Sequence, residues 1–423
     1  MMTRERAPLS LGRGGAELEA PSELDATRLV LDAVRLASAS SRMEITRTTG
    51  LGRAAVAQRV ADLLRLGLLE ESGGAPSTGG RPPRRLSFRA SAGYVLAADL
   101  GATSINVAAA DLSARILHHR AEDSDIAHGP EAVLGRVEAM FDELLAESAA
   151  PGALWGIGIG IPGPVEFSTG RPVAPPIMPG WDGYTIRERF GLRFGVPVWV
   201  DNDVNTMALG EWRWGVARGH RDVVWVKIGT GIGSGLISDG AQHRGADGAA
   251  GDIGHIQVAE EGVVCRCGNI GCLEALAGGA ALARDADVAA RSDRSRWLAQ
   301  ALERDGAVTA RSVALGACHG DPVCVGLLQR SGRLVGQVLA SIVNFFNPSL
   351  IVIGGGLATS GDILLATIRE TVYRRSLPLA TRELRIVPSG LGEVAGVIGA
   401  SAMVVDQLLS RERFEETIGC LAA

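Results

Sequence analysis

Residues 223–240 read VVWVKIGTGIGSGLISDG: an apolar run, then Gly229-Thr230-Gly231-Ile232-Gly233-Ser234-Gly235, then a second apolar run. The pattern predicts a strand, a glycine turn and a returning strand. Glycines in such a hairpin leave backbone N–H groups open, and a Thr hydroxyl beside them suits a nucleotide phosphate chain. The same plan occurs earlier in YVLAADLGATSINVAAAD (94–111), with the turn at Gly101-Ala102-Thr103. Asp99 ends the first of those strands, where a carboxylate holds Mg²⁺ through water. A third apolar strand, SLIVIGGG (349–356), finishes on Gly354-Gly355-Gly356, where bulk would block an adenosine. One glycine loop marks an ordinary turn. Two phosphate hairpins and a third glycine site in this order point to an α/β nucleotide-binding body.

Working outward, 423 residues with 46% hydrophobic content suffice for two or three domains. The start, MMTRERAPLSLGRGG, has no apolar core of signal-peptide length. No run approaches the roughly 20 apolar residues of a membrane span. Six cysteines without a signal suit a reducing compartment. These features predict a soluble, cytoplasmic protein with no membrane association. Charge is uneven: residues 1–90 carry 14 Arg against 10 acids, a balance of +4, while the rest sums to −9 of the total −5. A basic head on an acidic body suits a nucleic-acid reader fused to something else.

The head reads as three helices and a hairpin. Asp25 is placed to cap a first helix carrying Leu29, Val30, Val34 and Leu36. A second helix spans about Arg42 to Thr49 and stops at Gly50. After the Gly50-Leu51-Gly52 turn, a third helix buries Val56, Val60, Leu63, Leu64 and Leu66 and presents Arg53, Gln58 and Arg59 outward. In helix-turn-helix order that third helix enters the major groove. Apolar runs LGLLEES and RRLSFRA flank the tip GGAPSTGGRPP, which reads either as an interdomain linker or as a wing. As a wing, it would let Arg81 probe a narrow minor groove.

Two further clusters carry chemistry. PVWVDNDVNTMALGEW (197–212) runs a buried strand into a helix with Asp201-Asn202-Asp203 at the junction. A helix cap is the plain reading of either aspartate alone. CRCGNIGC (265–272) packs three cysteines into eight residues. A redox pair would want CxxC at a helix start, which this spacing does not supply.

DLGAT, GTGIGSG, IVIGGG and LGEVAGVIGAS resemble the ATP-binding elements of the actin/hexokinase/Hsp70 superfamily. GAAGDIGHIQVAEEGVVCRCGNIGCLEALAGG is similar to the signature of the ROK family (repressors, open reading frames, kinases), and the head resembles that of its repressors. The resemblance implies an α/β, actin/hexokinase-like (ribonuclease H-like) two-lobed body behind a winged helix-turn-helix. Residues 1–24 would be a disordered tail, 25–90 the DNA-binding head and 91–423 the sugar-sensing body, closed by a helix at about Val394 to Leu409. It implies a structural zinc on His255, Cys265, Cys267 and Cys272; three thiolates and an imidazole complete a closed tetrahedral site. Sugar-binding roles fall on Asn202, Asp203, Asp252, His255 and Glu274. Nucleotide-binding roles fall on Asp99, Gly101, Thr103, Gly229, Thr230, Gly231, Gly355 and Gly356. Asp203 matches the catalytic base of the kinases.

Three positions depart from the kinase pattern: Asp252 and Asp201 replace Glu, and Ile177 replaces a sugar-binding Asn. An apolar Ile neither donates nor accepts. The expectation is therefore a sugar-responsive repressor of carbohydrate genes, with operator DNA and a sugar or sugar-derivative effector as partners, acting as a homodimer or homotetramer. The alternative is an ATP-dependent hexose or amino-sugar kinase with an appended head. ATP and Mg²⁺ enter only if that activity is retained.

Overall fold

The two glycine hairpins occupy equivalent places in two sheets of the same topology. A computed structural model of the chain describes residues 21–36, 39–72, 85–147, 152–358 and 361–422. They form two units, Met1–Arg89 with Leu409–Ala423, and Ala90–Leu408.

In the first unit α1 (Glu23–Arg35), α2 (Arg42–Thr49) and α3 (Arg53–Arg65) precede an antiparallel hairpin of β1 (Leu69–Ser72) and β2 (Arg85–Phe88). This is the element order of a winged helix-turn-helix. Ser22, rather than the expected Asp25, caps α1: its hydroxyl accepts the Asp25 N–H at 3.1 Å. Ser41 caps α2, which ends at Gly50 in the left-handed conformation, φ 71°. Leu31, Ile45, Val56, Val60, Leu63 and Leu68 are fully buried and knit the helices together. The hairpin tip with Arg81 lies outside the described residues.

The second unit opens with an antiparallel meander of β3 (Gly93–Leu100), β4 (Ser104–Asp111) and β5 (Ile116–Asp123). After α4 (Pro130–Glu147), β6 (Ala153–Ile161) joins parallel to β3. A small ribbon of β7 (Val165–Glu166) and β8 (Arg171–Pro172) and then α5 (Ile186–Phe194) lead to β9 (Val198–Asn202), parallel to β6. The order is β5-β4-β3-β6-β9, and α6 (Asp203–Trp214) follows at once.

The second sheet repeats the plan. β10 (Val223–Ile228), β11 (Ile232–Ser238) and β12 (Ala241–His243) are antiparallel. A helical run of α7 (Leu273–Ala277), α8 (Gly279–Arg291), α9 (Arg296–Asp305), α10 (Ala310–Cys318) and α11 (Pro322–Phe346) precedes β13 (Leu350–Gly354), parallel to β10. Then α12 (Asp362–Arg375) and α13 (Pro378–Thr381) lead to β14 (Arg385–Pro388), giving β12-β11-β10-β13-β14. The long helix α14 (Ala395–Leu408) closes the unit. Two sheets that share one strand order make the actin/hexokinase-like body.

Close packing places the site. Along β6, Ile157, Ile159 and Ile161 enter a core shared with Phe141 and Phe190. The intervening glycines turn to the other face, because side chains alternate along a strand. A Cβ at Gly158 would stand 2.3 Å from the Ala400 carbonyl oxygen, so α14 presses directly on the sheet. It presses on α6 as closely: a Cβ at Gly399 would lie 1.7 Å from the Thr206 carbonyl oxygen. This sandwich holds the first turn of α6, with Asp203, against the end of β3, with Asp99.

The last helix, α15 (Phe414–Ala422), groups with the first unit, where Arg411 pairs with Asp25 at 2.9 Å. Residues 409–423, assigned from sequence to the body, thus sit with the head. Among the described residues no helix is long and apolar enough to cross a membrane.

Candidate functional site

One cleft of about 770 Å³ collects residues scattered over most of the second unit. Asp99, Gly101 and Thr103 reach it from the first hairpin, and Gly229, Thr230 and Gly231 from the second. Gly355 and Gly356 line it after β13, and Asn202, Asp203, Asp252, His255, Glu274 and Ile177 complete the wall. The turns are closed locally, by Gly101 N–H to Ser104 O at 2.8 Å and Gly229 N–H to Gly231 O at 3.0 Å.

At the start of α6 the three polar residues divide their work. Asn202 is the cap: its Oδ1 accepts the Val204 N–H at 3.0 Å, while Nδ2 donates to Gly163 O at 2.7 Å. Asp201, 2% exposed, accepts from Asn205 Nδ2 at 2.9 Å and from Arg244 Nε at 2.8 Å. The Arg244 guanidinium lies 3.8 Å from the centre of the Phe167 ring. Asp201 is thus a structural anchor that orients the junction. Asp203, 3% exposed, receives the ammonium of Lys227.

Asp99 faces the same corner with 3% exposure, and its Oδ1 has no hydrogen-bond partner among the described residues. Burial pushes its carboxyl up to about 7; Lys227 pulls it down and Asp203 adds to the rise. A carboxyl raised from 3.8 in the unfolded chain binds its proton in the folded state through that window. Its stabilising contribution is therefore full below 3.8 and is lost as pH rises through about 7. Urea titrations should show this as a slope of up to about 1.4 kcal/mol per pH unit that Asp99→Asn removes. Parallel pH profiles of the two proteins would exclude it.

Opposite, Glu274 on α7 accepts the Ile232 N–H at 3.0 Å, tying that helix to the second glycine hairpin. Burial pushes the Asp252 carboxyl up, partly offset by His255. His255, Cys265, Cys267 and Cys272 bring their ligand atoms within 4.8 Å of one another. His255 Nδ1 is 3.5 Å from Cys265 Sγ, and Cys267 Sγ is 3.7 Å from Cys272 Sγ. A tetrahedron with Zn–S arms of about 2.3 Å has edges of about 3.8 Å, so the donor set fits zinc. With Nδ1 turned to the sulfurs, Nε2 is the ring nitrogen left for the cleft. The loop closes through Gly268 and Gly271, at φ 92° and 72°.

In the head, Arg53 and Gln58 are exposed on α3. Arg59 is not brought to that face: its guanidinium is 17% exposed and lies 3.6 Å from both Glu23 and Asp62. Three residues outside the sequence expectation prove central: Lys227, Arg244 and Glu211. Fully buried Glu211 accepts the Val216 and Leu391 N–H groups at 3.0 and 2.9 Å. A single cation in the otherwise apolar strand before the glycine turn was a visible signal for Lys227; nothing local announced the other two.

The ROK family model matches residues 95–407. The xylose repressor of Caldicellulosiruptor bescii is 30% identical over 372 residues, which is 88% of this chain and 92% of that protein. A crystal structure of a ROK family transcriptional regulator, homolog of the E. coli MLC protein, superposes with TM-score 0.78 at 24% identity, covering 95% of this chain and 99% of that one. A ROK family glucokinase from Streptomyces griseus, solved with glucose and AMPPNP, superposes with TM-score 0.65 at 30% identity, over 73% of this chain and 98% of the kinase.

Proposed function

Since the chain belongs to the ROK family, we propose that it is a sugar-responsive, DNA-binding transcriptional repressor of carbohydrate genes. Coverage carries the reading. The glucokinase accounts for 73% of the chain, whereas the xylose repressor aligns with 88%, beyond the 95–407 body. The additional coverage supports a head held in common with the repressor.

The head binds operator DNA as a winged helix-turn-helix in the cytoplasm, as a homodimer or homotetramer on a palindromic site. Arg53 and Gln58, exposed at the N-terminal half of α3, meet base edges, and Arg81 reaches a flanking minor groove. The body holds a sugar among Asn202, Asp203, Asp252, His255 and Glu274. A zinc ion on His255, Cys265, Cys267 and Cys272 stiffens the loop that presents His255; when bound it supplies structure, not chemistry.

Gel shifts on the protein's own upstream DNA test the reading. Arg53→Ala is expected to weaken specific binding by about 1–3 kcal/mol. Arg59→Ala, already committed to Glu23 and Asp62, should cost less. No specific shift by the wild-type chain, with or without sugars, would refute the assignment.

A further inference from the structure

Lys227 is the only lysine in a chain whose other 41 permanent cations are arginines. It sits near the end of β10, between Val226 and Ile228, which are buried in the core below the sheet. Alternation along the strand turns Lys227 to the opposite face, toward the first turn of α6. There its ammonium donates to Asp203 Oδ2, the two side chains being 20% and 5% exposed. The other oxygen of Asp203 accepts the Val204 N–H at 2.8 Å. Asp99 points its unpartnered Oδ1 into the same corner.

A phosphoryl-transfer centre asks two things of such carboxylates. They hold a divalent cation with its waters, and one of them accepts the proton of the attacking hydroxyl. The residues present fit neither task. The ammonium already supplies the positive charge beside Asp203, and a dication a few ångströms from it is repelled. A proton placed on Asp203 would strip the largely enclosed Lys227 of its ion-pair partner, which is costly. We infer that Lys227 is a built-in counter-ion standing in for the divalent cation, so the cleft takes its sugar without a metal–nucleotide partner and transfers no phosphoryl group. This deepens the sugar-sensing reading above and rests on it.

Mn²⁺ is the probe, followed by loss of its free EPR signal on the full-length, zinc-loaded protein. Wild type is expected to leave the signal unchanged up to about 1 mM metal. Lys227→Met should bind Mn²⁺ at least about a hundredfold more tightly, since repulsion between a monocation and a dication at this range is worth several factors of ten even at an effective dielectric near 20. Adding Asp99→Asn should abolish that gain, and Lys227→Arg, which keeps the charge, should behave as wild type. Should the methionine variant fail to fold, Lys227→Gln serves in its place. Mn²⁺ uptake by wild type that Asp99→Asn removes would overturn the inference, as would absence of uptake in both wild type and the neutral variants. Operator binding measured on the same samples separates the two claims. Its absence in wild type defeats the regulator reading and leaves the Mn²⁺ result standing; Mn²⁺ uptake by wild type does the reverse.

Discussion

Cys267→Ser is expected to release the metal and silence the sugar response. Structural Zn²⁺ in small domains contributes about 10–16 kcal/mol of apparent binding energy, and an even share over four ligands is about 2.5–4 kcal/mol. Cys267 is the ligand whose sulfur lies 3.7 Å from that of Cys272, across the tight Gly268–Gly271 loop. Losing it frees that loop and, with it, the orientation of His255. Metal analysis of wild type should find about one zinc per chain, and the variant little or none. DNA binding should survive, because the metal loop and α3 belong to different units. A metal-free wild-type protein that is fully stable and still responds to sugar would show that the cluster is not a zinc site, and a metal-free variant with unchanged stability and sugar response would show that the ion stiffens nothing the effector needs.

Arg244→Met should be nearly as damaging, and for an electrostatic reason. It strips the guanidinium from Asp201, which is 2% exposed, and leaves a buried charge with only hydrogen bonds to offset it. Breaking one side of a buried pair costs about 3–5 kcal/mol. The stacking of Arg244 over Phe167 is lost too. Chemical denaturation of the single variant and of Arg244→Met with Asp201→Asn separates the contributions: the double variant should recover much of the loss. If the single variant is within about 0.5 kcal/mol of wild type, the scale of a neutral surface change, the anchor role of Asp201 falls.

Much of this architecture was legible because it depends on local chemistry. Glycine hairpins after apolar strands, Gly50 at a helix end and three cysteines around two glycines each announce their geometry within a few residues. The body and the cleft could therefore be drawn from motifs, and the cleft does gather every residue expected to touch sugar or nucleotide. What escaped depends on pairing across the fold. Asp201 read plainly as a helix cap; only the return of β12 toward α6 brings Arg244 to it. Arg59 looked like a base reader by helical phase, yet Glu23 of α1 and Asp62 draw it inward. Ser22 took the cap from Asp25 because α1 begins three residues earlier than its apolar pattern suggested. Gly and Ile alternate along β6, and only the packed fold gives that alternation its meaning, a face reserved for α14.

The most direct measurement is fluorescence anisotropy of the protein's own labelled upstream DNA, titrated with full-length protein in the presence of a panel of pentoses, hexoses and amino sugars. Specific binding in the range of about 10⁻⁸–10⁻¹¹ M, shifted at least about tenfold by one sugar and unresponsive to the same sugar after Cys267→Ser, is the expected result. Sequence-independent binding that no sugar alters, together with sugar phosphorylation at about 1–100 s⁻¹ by the same preparation, would contradict it and make the chain a kinase.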